Sequence, residues 1–114
     1  MKRYVKQYQD WDALKAQIAS EVASGIKNPL TEETPAGYAI NDILVQVETR
    51  RGMEADSTED GLMKFYDIHN PEAVYAEVDY NRYYRDVLDL VMFCNSRAEF
   101  EQNYSDYLWG LIPY

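Results

Sequence analysis

Residues 39–51 read AINDILVQVETRR, and the fold class depends on the structure that they form. The run 43–49 is rich in β-branched residues and partly alternates apolar and polar side chains, which is typical of a strand. A second alternating run, residues 62–68, predicts a partner strand. The connection between them, residues 50–61, is polar and has a glycine near each end. We therefore expect a hairpin with a long loop.

The same stretch also carries helix signals. Thr34 followed by Pro35 is a typical helix start, and Ile40, Leu44 and Val47 recur at helical spacing. We choose the strand because of the β-branched content, and the alternative is a fold that is nearly all-α.

Helices are expected on both sides of this hairpin. Residues 10–25 repeat apolar side chains every three or four positions, and residues 26–37, with two prolines and a glycine, are typical of a loop. Residues 80–95 place an apolar face opposite a charged one, and a last helix, 96–109, begins with a Ser-Arg-Ala-Glu capping box. Residues 70–72 fit a helix or turn start, and residues 72–78 fit either a continued helix or a strand. We expect an α+β domain with helices packed on a small antiparallel sheet.

The composition indicates one folded domain, residues 1–114. Hydrophobic residues make up 46% of the chain and aromatic residues 14%, which is enough to form a single core. Cys94 is the lone cysteine, so no intramolecular disulfide can form, and its apolar surroundings are typical of a core residue. No apolar run approaches the roughly 20 residues of a membrane span, and no secretory signal is recognisable. We expect a cytoplasmic protein, of a cell or of an infected host.

The charge is distributed unevenly along the chain. The formal net charge is −9, yet residues 1–53 carry seven basic and seven acidic side chains. Residues 54–114 carry four basic and thirteen acidic side chains, together with twelve of the sixteen aromatic residues. An acidic, tyrosine-rich half joined to a neutral half predicts a cationic partner. It disfavours direct binding to nucleic acid or to a membrane, apart from local basic patches at 2–6 and 50–51.

No catalytic pattern stands out. Residues 56–67 resemble an EF-hand calcium loop in part, but Lys64 occupies the ninth position and Asp67 is too short for the bidentate twelfth ligand. His69 and Cys94 are each the single residue of their kind, so they cannot supply a zinc set. We expect a protein that is not an enzyme and that has no cofactor and no metal site.

The acidic side chains of the second half form the predicted binding surface. Asp86 and Asp89 are three residues apart on a helix, which places their Cβ atoms about 5–6 Å apart. Rows of carboxylates at such distances imitate the phosphates of DNA, and exposed tyrosines would add apolar anchors. The predicted contact residues are Asp79, Asp86, Asp89, Glu99, Glu101 and Asp106, the loop acids Glu54, Asp56, Glu59 and Asp60, and the tyrosines Tyr75, Tyr83 and Tyr107.

In size, charge and tyrosine content the chain resembles the small acidic DNA-mimic inhibitors that phages and mobile elements encode against restriction and CRISPR enzymes. The resemblance involves no motif and no aligned stretch. It implies a non-enzymatic inhibitor that occupies the nucleic-acid groove of a basic nucleic-acid-binding protein. The alternative is a cytosolic adaptor or accessory protein that acts through tyrosines or through the apolar segment 108–114, which either packs on the core or joins two copies in a homodimer.

Overall fold

The structure is a computed structural model, and it describes residues 10–111. Within this range four helices pack on a three-stranded antiparallel sheet, which confirms the predicted α+β class. The elements in chain order are α1 (Trp11–Ala23), α2 (Pro35–Arg50), β1 (Met53–Ser57), β2 (Leu62–Asp67), β3 (Asn70–Asp79), α3 (Tyr80–Phe93) and α4 (Arg97–Leu111).

The stretch 39–51 belongs to helix α2, so the predicted strand was wrong. The Thr34 hydroxyl accepts a hydrogen bond from the N–H of Gly37 at 2.9 Å, and Pro35 occupies the first turn. The apolar side chains then recur every three or four residues and bury one stripe of the helix, which outweighs the modest β-preference of isoleucine and valine. The buried members of this stripe are Ile40, Ile43, Leu44 and Val47.

Helix α1 lies where its periodicity predicted it. The Asp10 carboxylate accepts a hydrogen bond from the N–H of Ala13 at 2.8 Å and caps the helix. The loop that follows ends at Thr34, three residues earlier than predicted, because Pro35 already belongs to α2.

The hairpin consists of β1 and β2, and β1 lies in the stretch that was predicted to be a polar loop. The strand order is β1-β2-β3, and the segment 72–78 that was left open lies within the third strand, which also includes the predicted helix or turn start at 70–72. Phe65 pairs with Ala55 on one side and with Ala76 on the other. The register between β2 and β3 shifts on both sides of Tyr66, which indicates a bulge.

One face of the sheet is covered by the helices. Met53, Met63 and Phe65 point into the core, where α2 packs on β1, and α3 packs on β2 and β3. Helix α4 packs on α2 and α3. Because strand side chains alternate, the residues between these core positions point to the opposite, outer face.

Helices α3 and α4 confirm their predictions with small changes. The Ser96 hydroxyl accepts from the N–H of Glu99 at 3.0 Å, and the Glu99 carboxylate accepts from the N–H of Asn95 at 3.1 Å, so a capping pattern begins α4.

Between residues 10 and 111, no helix combines the length and the apolar character needed to cross a membrane. In the apolar segment 108–114, Leu108 is buried, Trp109 is exposed, and positions 112–114 lie outside the described residues, as does the basic patch at 2–6.

Candidate functional site

The outer face of the sheet brings several acidic side chains together. The alternation along β1 directs Glu54 and Asp56 outward, and both are exposed. Asp56 lies opposite Lys64 of β2, and Lys64 lies opposite Glu77 of β3. The three strands therefore carry a row in which one lysine is flanked by two carboxylates.

Three more carboxylates lie at the end of the sheet where β1 turns into β2. Glu59 and Asp60 belong to this turn, and both are exposed. Asp79 is brought to the same end because it pairs with Leu62, and because the N–H of Tyr80 donates to the Gly61 carbonyl at 2.9 Å. We use the name acidic sheet surface for the seven residues Glu54, Asp56, Glu59, Asp60, Lys64, Glu77 and Asp79.

Tyr66 lies within the acidic sheet surface, and sequence reasoning missed it. It pairs directly with Glu54, and its hydroxyl donates to the Asp56 carboxylate at 2.5 Å. The Lys64 ammonium is 5.1 Å from the centre of its ring. The hydrogen bond to Asp56 raises the pKa of the phenol, and burial and the charges of Asp56 and Glu54 add to this. The alternation of residues 62–68 already placed Tyr66 on the side of Lys64, which was the available signal.

The acidic side chains predicted on α4 and on the middle of α3 are largely paired. Glu101 binds both Arg50 and Arg97, the latter at 2.9 Å. Burial acts to raise the pKa of Glu101, but the hydrogen bonds and charges of the two arginines bring it below its usual value. Asp86 is 3.9 Å from the guanidinium of Arg82. These helices therefore present mixed charge instead of a row of free carboxylates.

The other predicted helix acids also differ in their surroundings. Glu99 is engaged in the cap of α4, and Asp106 accepts a hydrogen bond from the Gln102 amide at 3.0 Å. Asp89 is exposed on α3. The structure thus groups Asp79 with the predicted loop acids at one end of the sheet, while the remaining helix acids lie along α3 and α4.

The three predicted tyrosine anchors are not free side chains. Tyr83 is 1% exposed, so its prediction as an exposed anchor was wrong. Tyr83 lies at the edge of the apolar face predicted for α3, and the helix is oriented so that this edge packs in the core. Tyr107 is half-buried, with its ring 6.1 Å from that of Tyr83, and the hydroxyl of the partly buried Tyr75 donates to Asp67 at 3.2 Å.

A second titratable group is buried in the core. Glu48 is 5% exposed and accepts a hydrogen bond of 2.5 Å from the Tyr104 hydroxyl, which lies 2.5 Å from that of Tyr83. Burial raises the pKa of Glu48 to about 7, the bond from Tyr104 opposes this, and the charges of Glu54 and Asp56 contribute to the rise. Sequence reasoning did not single out Glu48, because its burial depends on α2 being a helix.

The side chains considered for catalysis or metal binding lie in unrelated surroundings. His69 is exposed in the turn between β2 and β3, whereas Cys94 is buried beside Trp11, whose indole N–H donates to the Cys94 carbonyl at 2.9 Å. In the part of the chain from 10 to 111, no three His, Cys, Asp or Glu side chains are grouped so as to hold a metal ion. The calcium-loop-like residues 56–67 form the end of β1, a turn and β2.

The acidic sheet surface has carboxylates without an arginine partner among the described residues, although Asp79 also caps α3 by accepting a hydrogen bond from the N–H of Arg82 at 2.9 Å. The three ion pairs found between residues 10 and 111 join α2 to α4 or lie within α3 and α4, and none of them involves this surface. No protein-family model, curated protein or solved structure matches the chain.

Proposed function

We propose that this protein is a non-enzymatic binding protein whose acidic sheet surface contacts a basic nucleic-acid-binding protein, in the manner of a DNA-mimic inhibitor. One observation supports this most directly. The sheet face opposite the helices and its adjoining turn carry six exposed carboxylates and one partly buried lysine among the described residues. A cationic groove is the complementary surface for such a face.

The distances within a sheet suit this role. Glu54 and Asp56 are two residues apart, which corresponds to about 6.6 Å along the strand. Asp56 and Glu77 are two strands apart, or about 9.6 Å. A DNA strand presents its phosphates at several-angstrom intervals, so a protein that binds DNA by releasing counterions would accept these carboxylates electrostatically. The hydrogen bond from Tyr66 fixes the Asp56 carboxylate, which reduces the entropy that binding would cost.

The sheet is a better candidate for this surface than the helices. Glu101 and Asp86 already have arginine partners, and breaking those pairs would offset part of any new interaction. The carboxylates of the acidic sheet surface have no arginine partner in the described part of the chain, and the bonds that Asp56 and Asp79 accept, from the Tyr66 hydroxyl and the N–H of Arg82, leave other lone pairs of each carboxylate open to a partner. The proposed inhibitor therefore differs from the sequence-based expectation in the face that it uses, and it keeps the expected class of partner.

Two matched charge reversals test the proposal. Glu59→Lys with Glu77→Lys alters the acidic sheet surface, and Asp86→Lys with Asp89→Lys alters α3 by the same total charge. We expect the unaltered protein to bind a purified nucleic-acid-binding target at low salt, to be displaced by duplex DNA, and to lose most of its affinity only in the sheet variant. Equal losses in both variants would mean that only net charge matters, and a greater loss in the α3 variant would assign the contact to the helix.

An adaptor function is the second candidate, and one observation favours it. Phe93 at the end of α3 is 75% exposed, beside the partly exposed Met92. An exposed aromatic residue next to a methionine is typical of a protein contact. Binding of a partner through Phe93 would persist at high salt and in the sheet variant, and it would be lost on Phe93→Ser.

Dimerisation through segment 108–114 stays a prediction. Sedimentation of the unaltered protein and of Trp109→Ala tests it.

A further inference from the structure

A groove between α2 and α4 collects positive charge in this acidic protein. It has a volume of about 470 Å³, and its lining includes Val47, Arg50, Arg51, Glu101 and Ser105. A second depression shares Arg50 and Glu101 with it and adds Arg97. Arg97 is 46 residues or more from the other two arginines in sequence, so only the packing of α4 on α2 brings the three together.

The guanidinium groups are held in place by neighbours that leave an excess of positive charge. Glu101 is the one carboxylate that Arg50 and Arg97 share, and Arg97 also donates to the Gln46 side chain at 3.0 Å. Arg51 has no carboxylate partner in the described part of the chain. Its guanidinium donates to the Ser105 hydroxyl from Nε at 2.7 Å. Two of the three cations thus share one carboxylate, and Arg51 has none in the described part of the chain.

These guanidinium groups keep room for a ligand. The Arg50 side chain is 61% exposed and that of Arg97 is 39% exposed. The contacts of all three arginines use Nε and Nη2, and each guanidinium also has an Nη1 amino group. An anion in the groove would therefore meet donors that are already oriented, so little side-chain entropy is lost on binding.

An aromatic platform adjoins the same groove. The Arg51 guanidinium lies over the Trp109 ring, 4.1 Å from its centre, and 46% of Trp109 is exposed. Indole rings and guanidinium planes are the groups on which nucleobases stack in single-stranded nucleic-acid sites. A phosphate donor set and a stacking surface therefore share Arg51.

We propose that this groove binds a nucleoside phosphate, with the phosphate between Arg50 and Arg51, Arg97 adding positive charge from the adjoining depression, and the base beside Arg51 and Trp109. A terminal phosphate carries about −1.5 to −2 charges at pH 7, and the three arginines together with Glu101 sum to a formal charge of +2, which such a phosphate matches better than a single carboxylate does. A long nucleic acid fits less well, because a protein of net charge −9 repels a polyanion, whereas a mononucleotide lies within a Debye length, about 8 Å, of the arginines.

Glu101 gives the proposal a distinctive consequence. Its carboxylate binds both Arg50 and Arg97. A phosphate bound in the groove would be repelled by the charge of Glu101 and would compete with it for these arginines. Replacing it by the neutral isostere in Glu101→Gln should therefore tighten binding of the phosphate, although the variant loses two ion pairs. A residue that served only the fold would have the opposite or no effect on ligand affinity.

Calorimetric titration at low salt with adenosine 5′-monophosphate, inorganic phosphate and adenosine tests the proposal. We expect the monophosphate to bind more tightly than either part alone and to change the fluorescence of Trp109, a change that Trp109→Phe abolishes. Arg51→Ala and Arg50→Ala should each weaken binding about tenfold or more, whereas Arg85→Ala on α3 should not. Circular dichroism establishes that each variant is folded.

Several outcomes would overturn the assignment. If inorganic phosphate binds as tightly as the monophosphate, the base makes no contribution and the proposed base contact is wrong. If both groove variants keep the affinity of the unaltered protein, the ligand does not bind in this groove. No heat with the monophosphate at millimolar concentration, or tighter binding of an acidic peptide than of the monophosphate, would overturn it as a whole. None of these results depends on the acidic sheet surface, because the variants of the two sites lie on different elements.

Discussion

The hydroxyl of Tyr104 donates a hydrogen bond of 2.5 Å to the carboxylate of Glu48 in the interior of the protein. The hydroxyl of Tyr83 extends this network at 2.5 Å. A carboxyl group and two phenols thus satisfy one another among apolar side chains, where an unpaired polar group would cost about 1–3 kcal/mol. The network ties α2, α3 and α4 together through side chains that meet only in the folded chain.

The raised pKa of Glu48 predicts a loss of stability as the pH rises. Its pKa is about 7 in the folded protein and near the ordinary value, 4.5, in the unfolded chain. Between these two values the folded state keeps a proton that the unfolded state has released, so the free energy of unfolding falls as the pH rises through this window. Above pH 7 the loss from this group reaches about 3 kcal/mol. Urea unfolding at pH 5 and pH 8 measures it.

The matched variant for this measurement is Glu48→Gln, which keeps a hydrogen-bond acceptor for Tyr104 and cannot ionise. We expect its stability to depend less on pH than that of the unaltered protein, by about the same 3 kcal/mol. The other carboxylates are common to both proteins and cancel in the difference. Parallel pH profiles for the two proteins would show that Glu48 does not titrate in this window.

Removing the Tyr104 hydroxyl should destabilise the fold more than removing that of Tyr107. Tyr104→Phe leaves both the Glu48 carboxylate and the Tyr83 hydroxyl without this partner, and we expect a loss of about 2 kcal/mol. Tyr107 is half-buried and stands outside the hydrogen-bonded network, so Tyr107→Phe should cost less than about 1 kcal/mol. Urea unfolding at pH 5, where Glu48 is protonated, compares the two, and equal losses would argue against the network.

Two glycines on helices should respond to alanine with opposite signs. A Cβ at Gly37 would lie 2.1 Å from the carbonyl oxygen of Pro29, so Gly37→Ala forces backbone apart and should destabilise by about 1–3 kcal/mol. A Cβ at Gly110 meets nothing within 4 Å, and Gly110→Ala should stabilise α4 by about 0.5 kcal/mol. Thermal unfolding of both variants checks the signs, and a stable Gly37→Ala protein would contradict the contact between the start of α2 and the preceding loop.

The single thiol should be unreactive in the folded protein. Cys94 is fully buried, and burial raises its pKa, although the Asn103 amide and the charge of Lys15 oppose this. Because the thiolate is the reactive form, alkylation by iodoacetamide should be slow in buffer and fast in urea. Mass spectrometry of the timed reaction measures both rates. Rapid labelling in buffer would show that the segment between α3 and α4 opens easily.

The fold class followed from periodicity, and the main error came from a conflict between two local signals. Residues 43–49 contain β-branched side chains, yet Thr34 and Pro35 start a helix whose spacing buries Ile43 and Val47 and leaves Val45 58% exposed. A strand would have required alternation that this run only half provides. The intrinsic preference of one residue for strand over helix amounts to tenths of a kcal/mol. Burying a whole stripe of apolar side chains contributes far more, so tertiary packing determined that this stretch is a helix.

The sequence indicated which types of residue would form the candidate site better than it indicated where those residues would lie in the fold. The exposed acids of residues 54–60 and Asp79 could be identified from polarity and turn signals, and they do lie together. The pairing of Glu101 with Arg50 could not, because these residues are 51 positions apart and meet only when α4 packs on α2. Whether Tyr83 is buried depends on how α3 is rotated about its own axis. Tyr83 and Tyr84 are adjacent aromatic residues, so the sequence pattern does not specify which of them faces the core.

The sheet ends in two open strands, since β1 and β3 each pair only with β2 among the described residues. Such edges present unpaired backbone groups to which strands of other molecules can add. Here Glu54 and Asp56 place charge along one edge, and Pro71 at the start of the other lacks the N–H that an added strand needs. The carboxylates of this surface therefore also keep the molecules apart, and protonating them in acid would remove that protection and favour edge-to-edge aggregation.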